Sequence, residues 1–331
     1  MLSRPTAPDP TVPDPTKPDP TAPKPTVPDP SAPNRTAPNP ATGGFAGWAL
    51  DPGTLGFALS FEQYLTVTAE AGYDWVEVPV AELVRLGPAA LRNLCDRHGV
   101  RPGVFSCPWS GPYNGSVDDE RFERRLRELP ALLDLVAAAG GERVSAFFNG
   151  AREGMRQLGG AQLAERCGRL AQTAARHGVR FCLELNDPHH LRAAATVLAQ
   201  AAGSAGGRPQ LLVDTFHLFR AGCGPDWIDA LPAGAIGWMH VSGVPLGTGS
   251  DADSGPRTAP FRGHQDTGAL LDAAHRAGYR GPLSIEVLPS PAPGTDRTQL
   301  VRLAADLLAA GRNGLAGRAA AAAGIRTGGQ E

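Results

Sequence analysis

Gln210-Leu-Leu-Val-Asp-Thr-Phe-His-Leu-Phe-Arg220 is the stretch whose reading decides the fold. An apolar run, Leu211 to Val213, ends abruptly in the carboxylate of Asp214, and an imidazole, His217, follows three residues on. A short apolar run bounded by polar residues reads as a parallel strand buried on both faces. Asp214 then stands at the C-terminal end of its strand, where a barrel of parallel strands carries its chemistry. Two readings of this Asp compete: a cap that starts a helix, or a side chain aimed into a site. The stretch alone does not separate them, so the neighbouring runs must.

Outward from residue 210 the text alternates. Strand-like runs are read at 45–50, 75–80, 101–107, 143–148, 179–185, 210–214, 236–241 and 283–288. Helical spacing fills 59–71, 88–98, 118–139, 161–177, 190–202, 267–277 and 300–310, and a glycine follows helix after helix. Eight strands alternating with helices predict a closed (β/α)8 TIM barrel, with an open doubly wound sheet as the alternative. No GxGxxG follows the first strand and there is no phosphate-binding P-loop.

The barrel is expected to span 43–311. Before it, 14 of the 32 prolines fall in the first forty positions, in a near-five-residue repeat (PTAPD, PTVPD, PTKPD) with almost nothing apolar to bury. Such a segment, 1–42, is expected to stay extended or disordered, as a tether or as a docking peptide for a proline-binding partner. The Ala/Gly-rich stretch 312–331 is expected to be a flexible tail. A net charge of −2 without a basic stripe argues against a nucleic-acid partner. No run of about 20 apolar residues is present, which argues against a membrane span. The five scattered cysteines show no CxxC spacing and read as reduced thiols of a cytoplasmic protein. Self-association into a homo-oligomer stays open.

Four strands end in groups that bind metals: Glu184 on the fifth, Asp214 on the sixth, His240 on the seventh and Glu286 on the eighth. On adjacent barrel strands they would converge at one rim. Three carboxylates and an imidazole suit one divalent ion, Mn²⁺, Mg²⁺, Co²⁺, Zn²⁺ or Fe²⁺. Without a cation, crowded carboxylates repel and raise each other's pKa, so a metal explains the cluster better than packing does. His189 and His190 follow strand five, where one of them could reach the pocket or both could start a helix in solvent. Trp109, after strand three, could form an apolar wall of the pocket or pack in the core.

Three pieces of the chain now carry a resemblance. Leu212-Val-Asp-Thr-Phe-His217, Ala71-Gly-Tyr-Asp-Trp-Val-Glu-Val78 and Ser284-Ile-Glu-Val-Leu288 resemble strands six, two and eight of sugar isomerases and epimerases with a xylose-isomerase-like TIM barrel. The inosose isomerase and D-tagatose 3-epimerase types are the nearest. The resemblance covers about 45–310. It implies that Glu184, Asp214, His240 and Glu286 hold the metal, that Glu184 and Glu286 also act as acid and base, and that His217 contacts substrate. It further suggests a substrate role for Arg257. The text departs from the family in two places. After His240 comes Val-Ser-Gly-Val, without the acidic residue usual there, which leaves open what supports the imidazole. In the Pro-Gly-x-Gly turn Phe261 replaces the first glycine, which is expected to reshape the pocket mouth.

The chemistry that needs such a set is proton movement beside a carbonyl: a carboxylate removes the α-proton and the ion stabilises the resulting ene-diolate. Return of the proton to the opposite face gives epimerisation, and return to the neighbouring carbon gives isomerisation. Expulsion of a β-hydroxyl gives a dehydratase. The expected substrate is an unphosphorylated sugar, polyol or cyclitol. A barrel kept as a non-catalytic binding module is the remaining alternative. The shortage of histidines and of basic surface argues against a nuclease of the same barrel type.

Overall fold

The computed structural model describes residues 43–56, 58–106, 118–148, 158–202, 208–249, 256–288 and 294–327, with side chains of the last helix described to 320. The proline-rich segment 1–42, Cys107, Trp109 and residues 328–331 lie outside the described residues.

The eight strands are β1 Trp48–Leu50, β2 Trp75–Pro79, β3 Arg101–Ser106, β4 Arg143–Phe148, β5 Arg180–Leu185, β6 Gln210–Asp214, β7 Ile236–Val241 and β8 Leu283–Ile285. All pair parallel in sequence order, and β8 returns to β1 through Trp48 opposite Leu283 and Leu50 opposite Ile285. The sheet is therefore a closed barrel and not an open one. The helices are α1 Pro52–Leu55, α2 Phe61–Glu70, α3 Val80–Leu86, α4 Pro88–His98, α5 Asp119–Ala138, α6 Gly160–Arg176, α7 Pro188–Arg192, α8 Ala194–Ala202, α9 Thr215–Ala221, α10 Pro225–Asp229, α11 Thr267–Arg276 and α12 Arg297–Thr327.

Strand period two explains the core. One set of side chains, among them Trp48, Val76, Phe181, Leu183, Val213, Met239 and Ile285, faces the helices and joins their apolar stripes in the larger core. The alternate set, Ala49, Trp75, Val104, Cys182, Leu212 and Trp238, packs as a second cluster inside the barrel. Trp238 is fully buried there. Burial of a side chain this large contributes about 3 kcal/mol. Gly103 on β3 makes the room, because a Cβ at that position would overlap the indole ring.

Helix ends follow local chemistry. Ser60 and Gln63 form a capping box on α2, and Asp118, Asp187 and Asp266 accept backbone N–H bonds at the starts of α5, α7 and α11. Gly99 closes α4 with φ +67°, a left-handed conformation that costs a side-chain-bearing residue about 1 kcal/mol.

Three features differ from the sequence reading. Strand β8 ends at Ile285 and not at 288. The N–H of Val287 goes to the hydroxyl of Thr54 on α1, 3.0 Å away, and so leaves the sheet ladder. Helix α12 runs well past residue 310. Its continuation buries Leu315 and sets Arg318 against Asp266 and Asp272. Phe261 is half-buried and turns its ring to the last helix. Its backbone adopts φ +64°, which a glycine would adopt freely, and its ring packs on Gly314 of α12.

Candidate metal and substrate site

The inner set of side chains continues upward in steps of two. Above Cys182 stands Glu184, above Leu212 stands Asp214, and above Trp238 stands His240. Glu286 stands above Ser284, one residue beyond the end of β8. The same step puts Glu77 above Trp75 on β2 and Asp51 above Ala49 past β1. A charged layer thus lies on an apolar one, near the C-terminal ends of the strands.

Within this layer one ligand atom each of Glu184, Asp214, His240 and Glu286 lies within 4.8 Å of the others. Asp214 satisfies both readings of its sequence. Its Oδ1 accepts the Phe216 N–H at 2.8 Å and caps α9, while its Oδ2 lies 2.9 Å from Arg257 Nη1. The first turn of α9 carries His217 inward, with Nε2 3.4 Å from Asp214 Oδ2 and 3.5 Å from Glu184 Oε1. His240 Nδ1 is 2.9 Å from Glu286 Oε2. Arg257 reaches the same oxygen at 2.6 Å, and its guanidinium lies over the ring of Phe216. A short antiparallel bridge, Gly243 to Thr258, and the bond from Arg257 N to Leu288 O fix the segment that carries it.

Electrostatics separates the two glutamates. Burial raises the Glu184 carboxyl above its ordinary range, with His217 acting against the shift. Burial also works to raise Glu286, but Arg257 and then His240 outweigh it and hold this group well below that range. His240 behaves likewise: burial would lower it, yet Glu77 and Glu286 raise it well above its usual value.

The residues fit a divalent ion. The donors are the hard oxygens and imidazole nitrogen that such ions take. Three buried atoms on this side, Asp214 Oδ2, His217 Nδ1 and His240 Nδ1, make no well-directed hydrogen bond, and the first and last have the ion-pair neighbours Arg257 and Glu286. Together the four side chains could hold a metal.

The other expected contacts divide. Arg257 and His217 join the cluster. His189 is exposed on α7, its ring beside that of His190, and no described contact takes it into the cluster. Asp187 caps this helix through the N–H groups of both histidines, which turns His190 inward to Leu158 O and leaves His189 outward. Glu77 and Asp51 did not emerge from the sequence reading as site residues. Their signal is the period-two step from Trp75 and Ala49.

A closed parallel barrel with a carboxylate–histidine cluster at the C-terminal ends of strands five to eight defines a class of metal-type (β/α)8 proteins. Residues 65–310 match the xylose isomerase-like TIM barrel family, and the chain belongs to it. It is 28% identical to a xylose isomerase domain protein of Alicyclobacillus acidocaldarius, covering 80% of this chain and 99% of that one with a TM-score of 0.63. It is 27% identical over 243 residues to the 3-dehydroshikimate dehydratase of Pseudomonas aeruginosa, covering 71% of this chain, but it spans only 37% of that protein's length. The structure of a D-psicose 3-epimerase in the presence of D-fructose shares the fold at 16% identity and a TM-score of 0.63, covering 81% and 99% of the two chains. No helix among the described residues is long and apolar enough to cross a membrane.

Proposed function

We propose that this chain is a divalent-metal-dependent isomerase or epimerase acting on an unphosphorylated sugar, inosose or related hydroxyketone. One observation carries the reading: two glutamates from opposite ends of a four-strand arc, Glu184 and Glu286, meet an Asp and a His within 4.8 Å. A bound ion would supply polarisation of the substrate carbonyl and of a neighbouring hydroxyl. Glu184, Asp214, His240 and Glu286 would hold it.

The protein's own groups do the rest. Glu184 and Glu286 serve as acid and base, one taking the proton from the carbon beside the carbonyl and one returning it. His217 donates to a substrate oxygen from its place beside Glu184. Arg257 holds Glu286 ionised and oriented. The buried walls exclude water from the exchanged proton.

The test is proton exchange in D2O. Protein loaded with Mn²⁺ or Co²⁺ should incorporate deuterium at the carbon beside the carbonyl of one member of a panel of ketoses, inososes and hydroxyketones. Chelation should abolish the exchange. Exchange that survives chelation, or none with any substrate, sinks the reading.

A dehydratase reading has specific support in the relative named 3-dehydroshikimate dehydratase and in His217, which stands where a leaving hydroxyl could take a proton. A conjugated product absorbing in the ultraviolet would favour it.

A further inference from the structure

The acidic residue that commonly follows the histidine of strand seven is absent here, yet His240 does not lack a carboxylate. We infer that Glu77, reaching from β2 across the inside of the barrel, is the positioning residue that decides which nitrogen of His240 faces the metal. The inference rests on the reading of Glu184, Asp214, His240 and Glu286 as a metal centre.

Glu77 is fully buried, and a single oxygen, Oε1, makes three contacts: Trp238 Nε1 at 2.8 Å, His240 Nε2 at 2.8 Å and Ser284 Oγ at 2.5 Å. An indole N–H can only donate, so Oε1 is an acceptor. Ser284 Oγ and His240 Nε2 lie at donating distance from the same oxygen. His240 then holds a hydrogen on Nε2, and Nδ1, 2.9 Å from Glu286 Oε2, is the nitrogen on which an ion would replace a proton. A ligating imidazole needs this arrangement: a lone pair toward the ion and the opposite N–H held by a carboxylate.

The geometry also locks the ring. Ser284 lies opposite His240 in the β7–β8 register, and Trp238 lies two residues earlier on the same strand. All three are tied to one atom that comes from the far side of β1 and β8. Trp238 can reach it only because Gly103 leaves space for the indole.

Asp51, Glu77 and His240 also lie within ligand distance of one another. A second ion that took His240 through Nε2, the nitrogen facing Glu77, would need the lone pair that the donor role of Nε2 removes. The inference therefore includes a stoichiometry of one ion per chain.

The test titrates the full-length protein with Co²⁺, following visible absorption for the ligand set and competition with a chromophoric chelator for affinity. The parent protein should bind one Co²⁺ per chain. Glu77→Gln should weaken binding roughly 10–100-fold and change the visible spectrum. Trp238→Phe removes a different donor from the same oxygen but leaves the bond to Nε2, and should keep the parent affinity and spectrum. If circular dichroism shows that Glu77→Gln is unfolded, Glu77→Asp replaces it, with the shortened carboxylate expected to weaken binding in the same direction. Unchanged binding in the Glu77 variant, equal losses in the Glu77 and Trp238 variants, or two ions per parent chain would overturn the inference. Deuterium exchange fails independently: one Co²⁺ per chain without exchange removes the isomerase reading and leaves the role of Glu77 standing.

Discussion

The two sides of the barrel carry the same kind of charge and use it differently. On β5 to β8, Glu184, Asp214, His240 and Glu286 bring one ligand atom each toward a common centre. On β1 and β2, Asp51 and Glu77 turn theirs toward the protein: Asp51 accepts the Gly53 N–H at 2.7 Å, and Glu77 accepts from Trp238, His240 and Ser284. A carboxylate at the C-terminal end of a barrel strand is thus not a ligand by position alone. What distinguishes the two groups is the kind of partner each meets. Glu77 Oε1 meets an indole, an imidazole and a hydroxyl of the barrel interior and orients them. Asp214 Oδ2 and Glu286 Oε2 meet the guanidinium of Arg257, a charge that an ion would replace or share.

The comparison breaks most sharply at Asp214. Asp214→Ala removes a ligand and the cap of α9 together. It should lower turnover by roughly a thousandfold, since an ion supplies several kcal/mol to such a reaction. It should also lower stability by about 1 kcal/mol through the lost cap. Asp214→Asn keeps the cap and loses the charge, so it should retain the melting temperature and lose the metal. Metal analysis alongside thermal melting checks both.

Next is the pair of glutamates with His217. Glu184→Gln or Glu286→Gln should lower deuterium exchange by about 10²–10⁴-fold, the usual contribution of a general acid or base. His217→Ala should keep the ion and lose turnover. Loss of metal in the His217 variant would move this residue into the ligand set.

On the other side of the barrel the expected effects are smaller. Burial, and then the nearby Glu77, raises the Asp51 carboxyl well above its ordinary range. A carboxyl with a raised folded-state pKa contributes stability that is present below the unfolded value of about 3.9 and lost as pH rises through the folded one. Asp51→Asn imitates the neutral acid, and its side-chain oxygen can still accept the Gly53 N–H. It should therefore remove part of that loss, and melting curves of the two proteins should diverge as pH rises above the ordinary carboxylate range. Parallel curves would show that Asp51 is ionised in the folded protein and so belongs with the opposite side.

The smallest effect is expected at Phe261. Phe261→Gly relieves about 1 kcal/mol of left-handed backbone strain and loses a similar amount of half-buried ring packing. The two should nearly cancel in a denaturant titration.

Much of this was legible in the sequence. The strand at 210–214 and the helix at 88–98 match the structure residue for residue, because apolar runs and Gly or Pro boundaries are local signals. The meeting of Glu184, Asp214, His240 and Glu286 was legible because each member interrupts or ends an apolar run. Glu77 interrupts one too, within Trp75-Val-Glu-Val, but nothing local shows that its partners lie on β7 and β8. The short helices α1, α3, α9 and α10 were missed, since four to seven residues give too little periodicity. The exposure of His189 follows from the cap at Asp187, which points one of two adjacent histidines outward.

The ring of Phe261 on Gly314 ties the segment that follows Arg257 to the last helix of the chain. The constraint runs from the ring to the helix: a side chain at 314 would meet the ring, whereas a glycine at 261 would leave room for one. In kin that share this turn the two positions are expected to change together, large with small. The inheritance of this loop would then be recorded in a helix that contributes no residue to the carboxylate–histidine cluster.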